Sequence, residues 1–265
     1  GAPSLDPEVV VIARLVLGLA LSVAGIVPAA AQLSLASIFL DEAHEGPERP
    51  SFQWVEDGRA LIQSTTDDGT LVLTRIEADG GTAREFLRVE PWTDPVHGEV
   101  EADAAVVGPT GRYVLLKTRA EKRWRRSTAY DHWIHDRETA ERWRLTPEGQ
   151  ELHAAFAPGA SEIAFVQGPK LMRMDLKSRE VRALGLPREG VALENDSELT
   201  HGDPDWVYEE EFDFSTAFWW APKGNRLALL RFDRTGVGRF PMVVTGDDAM
   251  PAYEPFDYPK AGARN

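Results

Sequence analysis

The sequence predicts an all-β protein, about four blades of a larger β-propeller, preceded by a short hydrophobic segment. Three observations point there. One local unit (an aromatic or aliphatic residue, a tight turn, then an apolar strand) occurs four times, about 50 to 65 residues apart. The segments that follow it alternate apolar and polar residues, as half-buried strands do. No long amphipathic helical pattern follows the first 31 residues.

Taken in order, Arg14 precedes an apolar run over residues 15–27, interrupted by Gly18, Ser22 and Gly25. Pro28-Ala29-Ala30-Ala31 and Gln32 come next. A positive charge, a short apolar stretch and small residues before a cleavage point read as a secretory signal over residues 1–31. The run is short for a membrane span, which needs about 20 apolar residues. An uncleaved anchor and a buried helix are the other two readings. Asp6 and Glu8 depart from the basic start such a segment usually has. The expectation is an exported protein, periplasmic or extracellular, or one held to a membrane by this segment, with residues 32–265 forming the propeller portion.

The four copies of the unit span residues 54–62, 107–116, 156–165 and 220–230. Asp57-Gly58, Pro109-Thr110-Gly111, Pro158-Gly159 and Pro222-Lys223-Gly224 supply the turns. The strand after each turn is apolar on both faces, as expected between stacked sheets. A second strand and turn follow, as in residues 71–76 before Asp79-Gly80-Gly81 and residues 171–176 before Lys177-Ser178. Four-stranded blades account for this pattern. No closing strand is visible after Phe256-Asp257-Tyr258-Pro259. An open edge of that kind leads to the expectation that the sequence is the first half of a larger propeller.

Hydrophobic residues make up 43% and charged residues 27%, enough for a packed core. The net charge of −14 argues against a nucleic-acid partner, because phosphate binding needs a basic face. There is no cysteine. Disulfides, thiolate zinc sites and cysteine nucleophiles are therefore excluded, while export is not.

The most informative segment is Asp205-Trp206-Val207-Tyr208-Glu209-Glu210-Glu211-Phe212, with Phe218-Trp219-Trp220 close behind. A solvated acidic loop has no use for so many large aromatics. On a strand, Glu209 and Glu211 would share a face opposite Glu210; on a helical turn, Glu210 and Glu211 would splay about 100° apart. Carboxylates crowded in this way are relieved by a cation. A peptide α-ammonium, whose amine titrates near pH 7.7–8.0, fits that role. The competing readings are a solvated acidic turn, or a pair serving Arg226 or Arg231.

A second candidate is Lys122-Arg123-Trp124-Arg125-Arg126-Ser127, where a guanidinium stacked on Trp124 would keep donors for a carbonyl or carboxylate. Its alternative is a basic hairpin edge. His44, His97, His132, His135, His153 and His201 form no metal set by spacing, and neither metal nor other cofactor is expected. No Gly-x-Ser-x-Gly elbow, phosphate loop or dinucleotide fingerprint occurs, so no catalytic centre is recognisable.

From about Ile38 to Asn265 the chain resembles the N-terminal propeller half of dipeptidyl peptidase IV-like serine peptidases. The resemblance rests on an ordered set: Trp124-Arg125-Arg126-Ser127, residues 205–211, Trp219-Trp220-Ala221-Pro222-Lys223-Gly224, Arg231-Phe232-Asp233 and Tyr258-Pro259-Lys260-Ala261-Gly262. The region before about Arg112 matches only loosely. The resemblance implies an eight-bladed propeller followed by an α/β-hydrolase domain, which is absent from this sequence together with its Ser-His-Asp triad.

By the same resemblance, Glu210 and Glu211 would bind the α-ammonium of a peptide substrate, and Arg125 would donate to the carbonyl of its second residue. Asp205, Trp206, Tyr208 and Trp124 would support them. Choosing Glu210 and Glu211 over Glu209 rests on the family, not on charge. Arg126 departs from the less charged neighbour of some relatives. The implied activity is release of X-Pro or X-Ala dipeptides, with gating by the propeller and a possible partner in a second copy of the chain. A non-catalytic propeller that binds peptides or proteins is the alternative.

Overall fold

Strands that are apolar on both faces need a sheet against each face, and the fold supplies them. The computed structural model describes residues 50–55, 58–185, 198–245 and 250–264. The expected signal over residues 1–31 lies outside the described residues. Three four-stranded antiparallel sheets follow one another, each a meander in which every strand pairs with the next. Blade I contains β1 (Ser51–Val55), β2 (Ala60–Asp67), β3 (Thr70–Glu77) and β4 (Arg84–Val89). A small hairpin, β5 (Trp92–Asp94) with β6 (Gly98–Val100), leads to blade II. This comprises β7 (Ala104–Val107), β8 (Tyr113–Lys122), β9 (Thr128–Asp136) and β10 (Arg142–Arg144). Blade III is β11 (Leu152–Phe156), β12 (Glu162–Gln167), β13 (Lys170–Asp175) and β14 (Val181–Leu184).

The cores lie between blades, and the period-2 alternation of strands assigns their residues. Along β8, Val114 and Leu116 join the core shared with blade I, which includes Ile62, Leu71 and Leu73. Leu115, between them, points the other way into the core with Ile163 and Phe165 of blade III. Along β12, Ala164 and Val166 in turn face Phe218 of the next set of strands. This is the arrangement of propeller blades, and it explains why these strands read as continuous apolar runs.

The four-fold sequence unit is the first hairpin of each set of strands. In three copies its turn carries the same two backbone bonds: Gly108 N–H to Tyr113 C=O and Gly111 N–H to Gly108 C=O, then Ala157 to Glu162 and Ala160 to Ala157, then Ala221 to Arg226 and Gly224 to Ala221, all 2.8–2.9 Å. The fourth turn residue is left-handed each time, at Gly111 (φ 73°), Ala160 (φ 52°) and Gly224 (φ 70°). In the third copy the left-handed residue is therefore Ala160 and not its neighbour Gly159.

The fourth set departs from the expected four-stranded blade. β15 (Leu199–His201) pairs with β18 (Arg231–Asp233), and β16 (Phe218–Trp220) pairs with β17 (Leu227–Leu229). A hairpin of β19 (Arg239–Val244) and β20 (Ala252–Asp257) follows. The reason is an excursion between β15 and β16, residues 203–216. Its two ends are pinned by a closed ring of backbone bonds: Gly202 N–H to Leu230 C=O, Leu230 N–H to Ala217 C=O, and Ala217 N–H to Gly202 C=O (2.9, 2.9 and 3.0 Å). The excursion carries the helix α1 (Trp206–Phe212). No helix among the described residues is long and apolar enough to cross a membrane.

Candidate functional site

The acidic segment is helical, and local chemistry explains why. Asp205 is the N-cap: its extended backbone ends the preceding loop, and its carboxylate accepts from the N–H groups of Val207 and Tyr208 (3.1 and 3.3 Å). Burial pushes the Asp205 carboxyl above its usual value, and these two N–H donors pull it back only in part. At the other end Asp213 is left-handed (φ 58°) and donates its N–H to Tyr208 C=O.

Seven residues are too few for a stable isolated helix, so packing holds it. The Tyr208 ring meets Phe214 and Phe232 at 6.3 and 5.2 Å between centroids. Trp206 meets Phe256 and Tyr258 at 6.0 and 5.4 Å. The aromatics that set this segment apart in the sequence thus anchor the helix to the strands that follow it.

Helical geometry gives the three carboxylates three environments. Glu209 is buried, at 1% exposure. It accepts from Ser127 N–H at 3.0 Å, from Arg126 N–H and from the Ser127 hydroxyl. Glu210 is half-buried and pairs with Arg125, whose Nε lies 2.8 Å from its Oε2. Glu211 is exposed.

The residues that meet Glu209 and Glu210 come from the tip of the β8–β9 hairpin, the longest in the described chain. The hairpin extends past a register shift between Thr118 and Glu121, where Arg119 is left-handed (φ 51°). Its tip closes with Arg123 and Trp124 N–H groups on Ser127 C=O. Arg123 is the guanidinium that stacks on Trp124, 3.9 Å from the ring centroid. It also pairs at 2.7 Å with Asp203, a buried carboxylate that meets His153 Nε2 at 3.3 Å. Arg126 pairs with Asp213 at the helix C-terminus. The hairpin is therefore tied to the excursion before, within and after the helix.

The structure brings Arg125 and Glu210 into contact, with Glu211 on the adjacent outer face of the helix. Asp205 caps the helix, Trp206 and Tyr208 pack it against Phe256, Tyr258, Phe214 and Phe232, and Trp124 lies under Arg123. Arg226 and Arg231, considered as partners for the acidic pair, line a separate cleft with Trp220 and Leu229 instead. A cleft of about 540 Å³ lies on the flank of the site formed by Trp124, Asp205 and Trp206, together with Arg234, Arg239 and Phe256. Sequence reasoning missed Glu209 and Ser127 as a pair. The only available signal was the position of Glu209 four residues after Asp205, which a helix turns inward. His132 lies against buried Glu151 (3.1 Å), and no grouping of three or more His, Cys, Asp or Glu among the described residues is arranged to hold a metal.

Comparison with known proteins fits this architecture. Residues 108–265 match the family described as the dipeptidyl peptidase IV (DPP IV) N-terminal region. The chain belongs to that family. Its start at residue 108 matches the loose resemblance seen before Arg112. A probable dipeptidyl-aminopeptidase B of Emericella nidulans is 30% identical over 260 residues, covering 90% of this chain and 27% of the relative. Its counterpart in Phaeosphaeria nodorum is 29% identical, covering 83% and 26%. The chain thus spans about a quarter of the length of the curated relatives it matches. The crystal structure of Porphyromonas gingivalis dipeptidyl peptidase 4 shares the fold with a TM-score of 0.73 at 21% identity, over 88% of this chain and 32% of that one. The matched residues include the β8–β9 hairpin, blade III and α1, whereas blade I lies before them.

Proposed function

We propose that this chain is the substrate-gating, amino-terminus-recognising propeller portion of an exported serine dipeptidyl peptidase that removes X-Pro or X-Ala dipeptides. The observation that carries the reading is the Arg125–Glu210 contact at 2.8 Å, presented on a rigidly capped helix. Glu210 spends one oxygen on Arg125 and keeps the other for an ammonium, which Glu211 reaches from the next position. Arg125 approaches Glu210 through Nε, and a guanidinium carries four further N–H donors on its terminal nitrogens that can serve a backbone carbonyl. One end of a peptide is then held by charge and its second residue by a directional donor. Such anchoring sets the next peptide bond at a fixed distance from the clamp, where a serine nucleophile can be matched to it. The names of the relatives support peptidase activity for the complete protein.

The test is dipeptide release by the complete native protein from X-Pro and X-Ala p-nitroanilides. Glu210→Ala and Arg125→Ala are each expected to lower kcat/KM by at least tenfold, and an N-acetylated substrate to be refused. Equal rates on free and acetylated substrates would overturn the reading. Binding of free-amine peptides without any release would favour a non-catalytic peptide-binding propeller.

A further inference from the structure

Glu209, the first carboxylate of the motif, cannot itself meet a substrate, because it is buried at 1% exposure with its oxygens already engaged. Three donors converge on it, all from Arg126 and Ser127 on the β8–β9 hairpin tip, 82 or 83 positions away in sequence. The neighbouring residue on that tip is Arg125, and the neighbouring residue on the helix is Glu210. Glu209 is therefore the joint between the element that carries the guanidinium and the element that carries the ammonium-binding carboxylates.

We propose that Glu209 is the positioning residue of the clamp, fixing the spacing between Arg125 and the Glu210–Glu211 pair through Ser127. The inference rests on the amine-clamp reading of the site. The required chemistry is acceptance at one oxygen from two backbone N–H groups and a hydrogen bond at the other with the Ser127 hydroxyl. A carboxamide can reproduce it: the Gln carbonyl accepts from both N–H groups, and its NH₂ donates to the Ser127 oxygen, which turns from donor to acceptor. A residue that acted by its charge could not be replaced in this way.

The experiment measures two things on Glu209→Gln, Glu209→Ala, Ser127→Ala and the double alanine variant. The first is the Kd of an Ala-Pro-initiated pentapeptide with a free amino terminus, in the complete native protein. The second is amide hydrogen exchange at Arg126 and Ser127. Glu209→Ala is expected to weaken binding at least tenfold and to speed exchange at both amides, whereas Glu209→Gln stays within threefold of the parent in both. Ser127→Ala weakens binding three- to tenfold, and the double variant is no worse than Glu209→Ala, because the two residues act through one contact.

Glu209→Gln binding as poorly as Glu209→Ala would overturn the proposal. If Glu209→Ala does not accumulate as folded protein, Ser127→Ala decides, and a Kd within twofold of the parent would overturn it. Glu210→Ala is the control that separates the two ideas. Unchanged binding there sinks the clamp itself, whereas weakened binding there beside unchanged binding in Glu209→Ala sinks only the positioning role.

Discussion

The side-chain amide of Gln53 donates to Val107 C=O at 2.7 Å and accepts from Val107 N–H at 2.8 Å. A side chain of β1 thus pairs with the backbone of β7 as a strand would, joining blade I to blade II through a residue 54 positions away. Removal of this amide leaves both Val107 groups without their partner. Gln53→Ala is expected to lower stability by about 1–3 kcal/mol. Gln53→Glu at neutral pH loses the donor and sets a carboxylate against the carbonyl, so its loss should be at least as large. Protonation restores an O–H donor, so the deficit of Gln53→Glu should shrink as pH falls. Denaturant titrations followed by tryptophan fluorescence at several pH values measure both.

Gly149 sits where blade II turns into blade III. It is left-handed (φ 71°), and a Cβ there would run into the Asp131 carboxylate and lie 2.9 Å from Arg144 Nη2. Asp131 accepts from Gln150 N–H and Nε2 and from Arg144 (3.0, 2.9 and 3.2 Å), so it has little room to yield. Gly149→Ala adds to the backbone penalty of about 1–2 kcal/mol the break-up of this buried network, for a total of about 3 kcal/mol or more. Gly80→Ala is the control, with a similar φ of 83° and nothing within 4 Å of the new methyl. Equal losses in the two variants would show that the network yields freely.

Two buried aspartates should respond to pH with opposite signs. Burial raises the Asp205 carboxyl despite its two N–H donors. The folded state therefore binds its proton more readily, and the cost of ionising it is absent below the unfolded value of about 3.9 and fully present above the raised folded value. Asp205→Asn keeps the cap and should match or exceed the parent at pH 7, with the difference closing as pH falls through that window. Asp136 is lowered, first by its bond to Arg112 at 2.7 Å. Its contribution is full above about 3.9 and is lost as pH falls through the depressed folded value. Asp136→Asn should therefore be the less stable protein at pH 7 and indistinguishable from the parent in strong acid. Thermal melts from pH 7 to pH 2.5 test both signs.

The blades were legible because their information is local. Pro222-Lys223-Gly224 and Pro109-Thr110-Gly111 announce turns by their own conformational preferences, and the apolar strands beyond them need no partner to be recognised. The ordered motifs around residues 124–127 and 205–211 also picked out two segments that the fold brings into contact. The contact between them was not legible. It depends on the reach of the β8–β9 hairpin past the Arg119 irregularity, which no residue pattern marks, and on the helical phase that turns Glu209 inward and Glu210 toward Arg125. The sequence left strand and helix open for those three glutamates, and only the helix makes the first of them a joint. The pairing of β15 with β18 was hidden for a similar reason, since the excursion that separates β15 from β16 has no repeat to reveal it.

The two-sided strands carry a further consequence. Where a strand is apolar on one face only, a slip by one residue exposes the wrong side chains and is rejected at once. β8 and β12 lack that safeguard, because a slipped Leu115 or Ala164 would still find an apolar neighbour on either side. Alignment of these hairpins must come from their ends. The recurring pair of backbone bonds at Gly108, Ala157 and Ala221 is then the ruler for the three hairpins that carry it, and an insertion of one residue there would misplace every side chain downstream in that sheet.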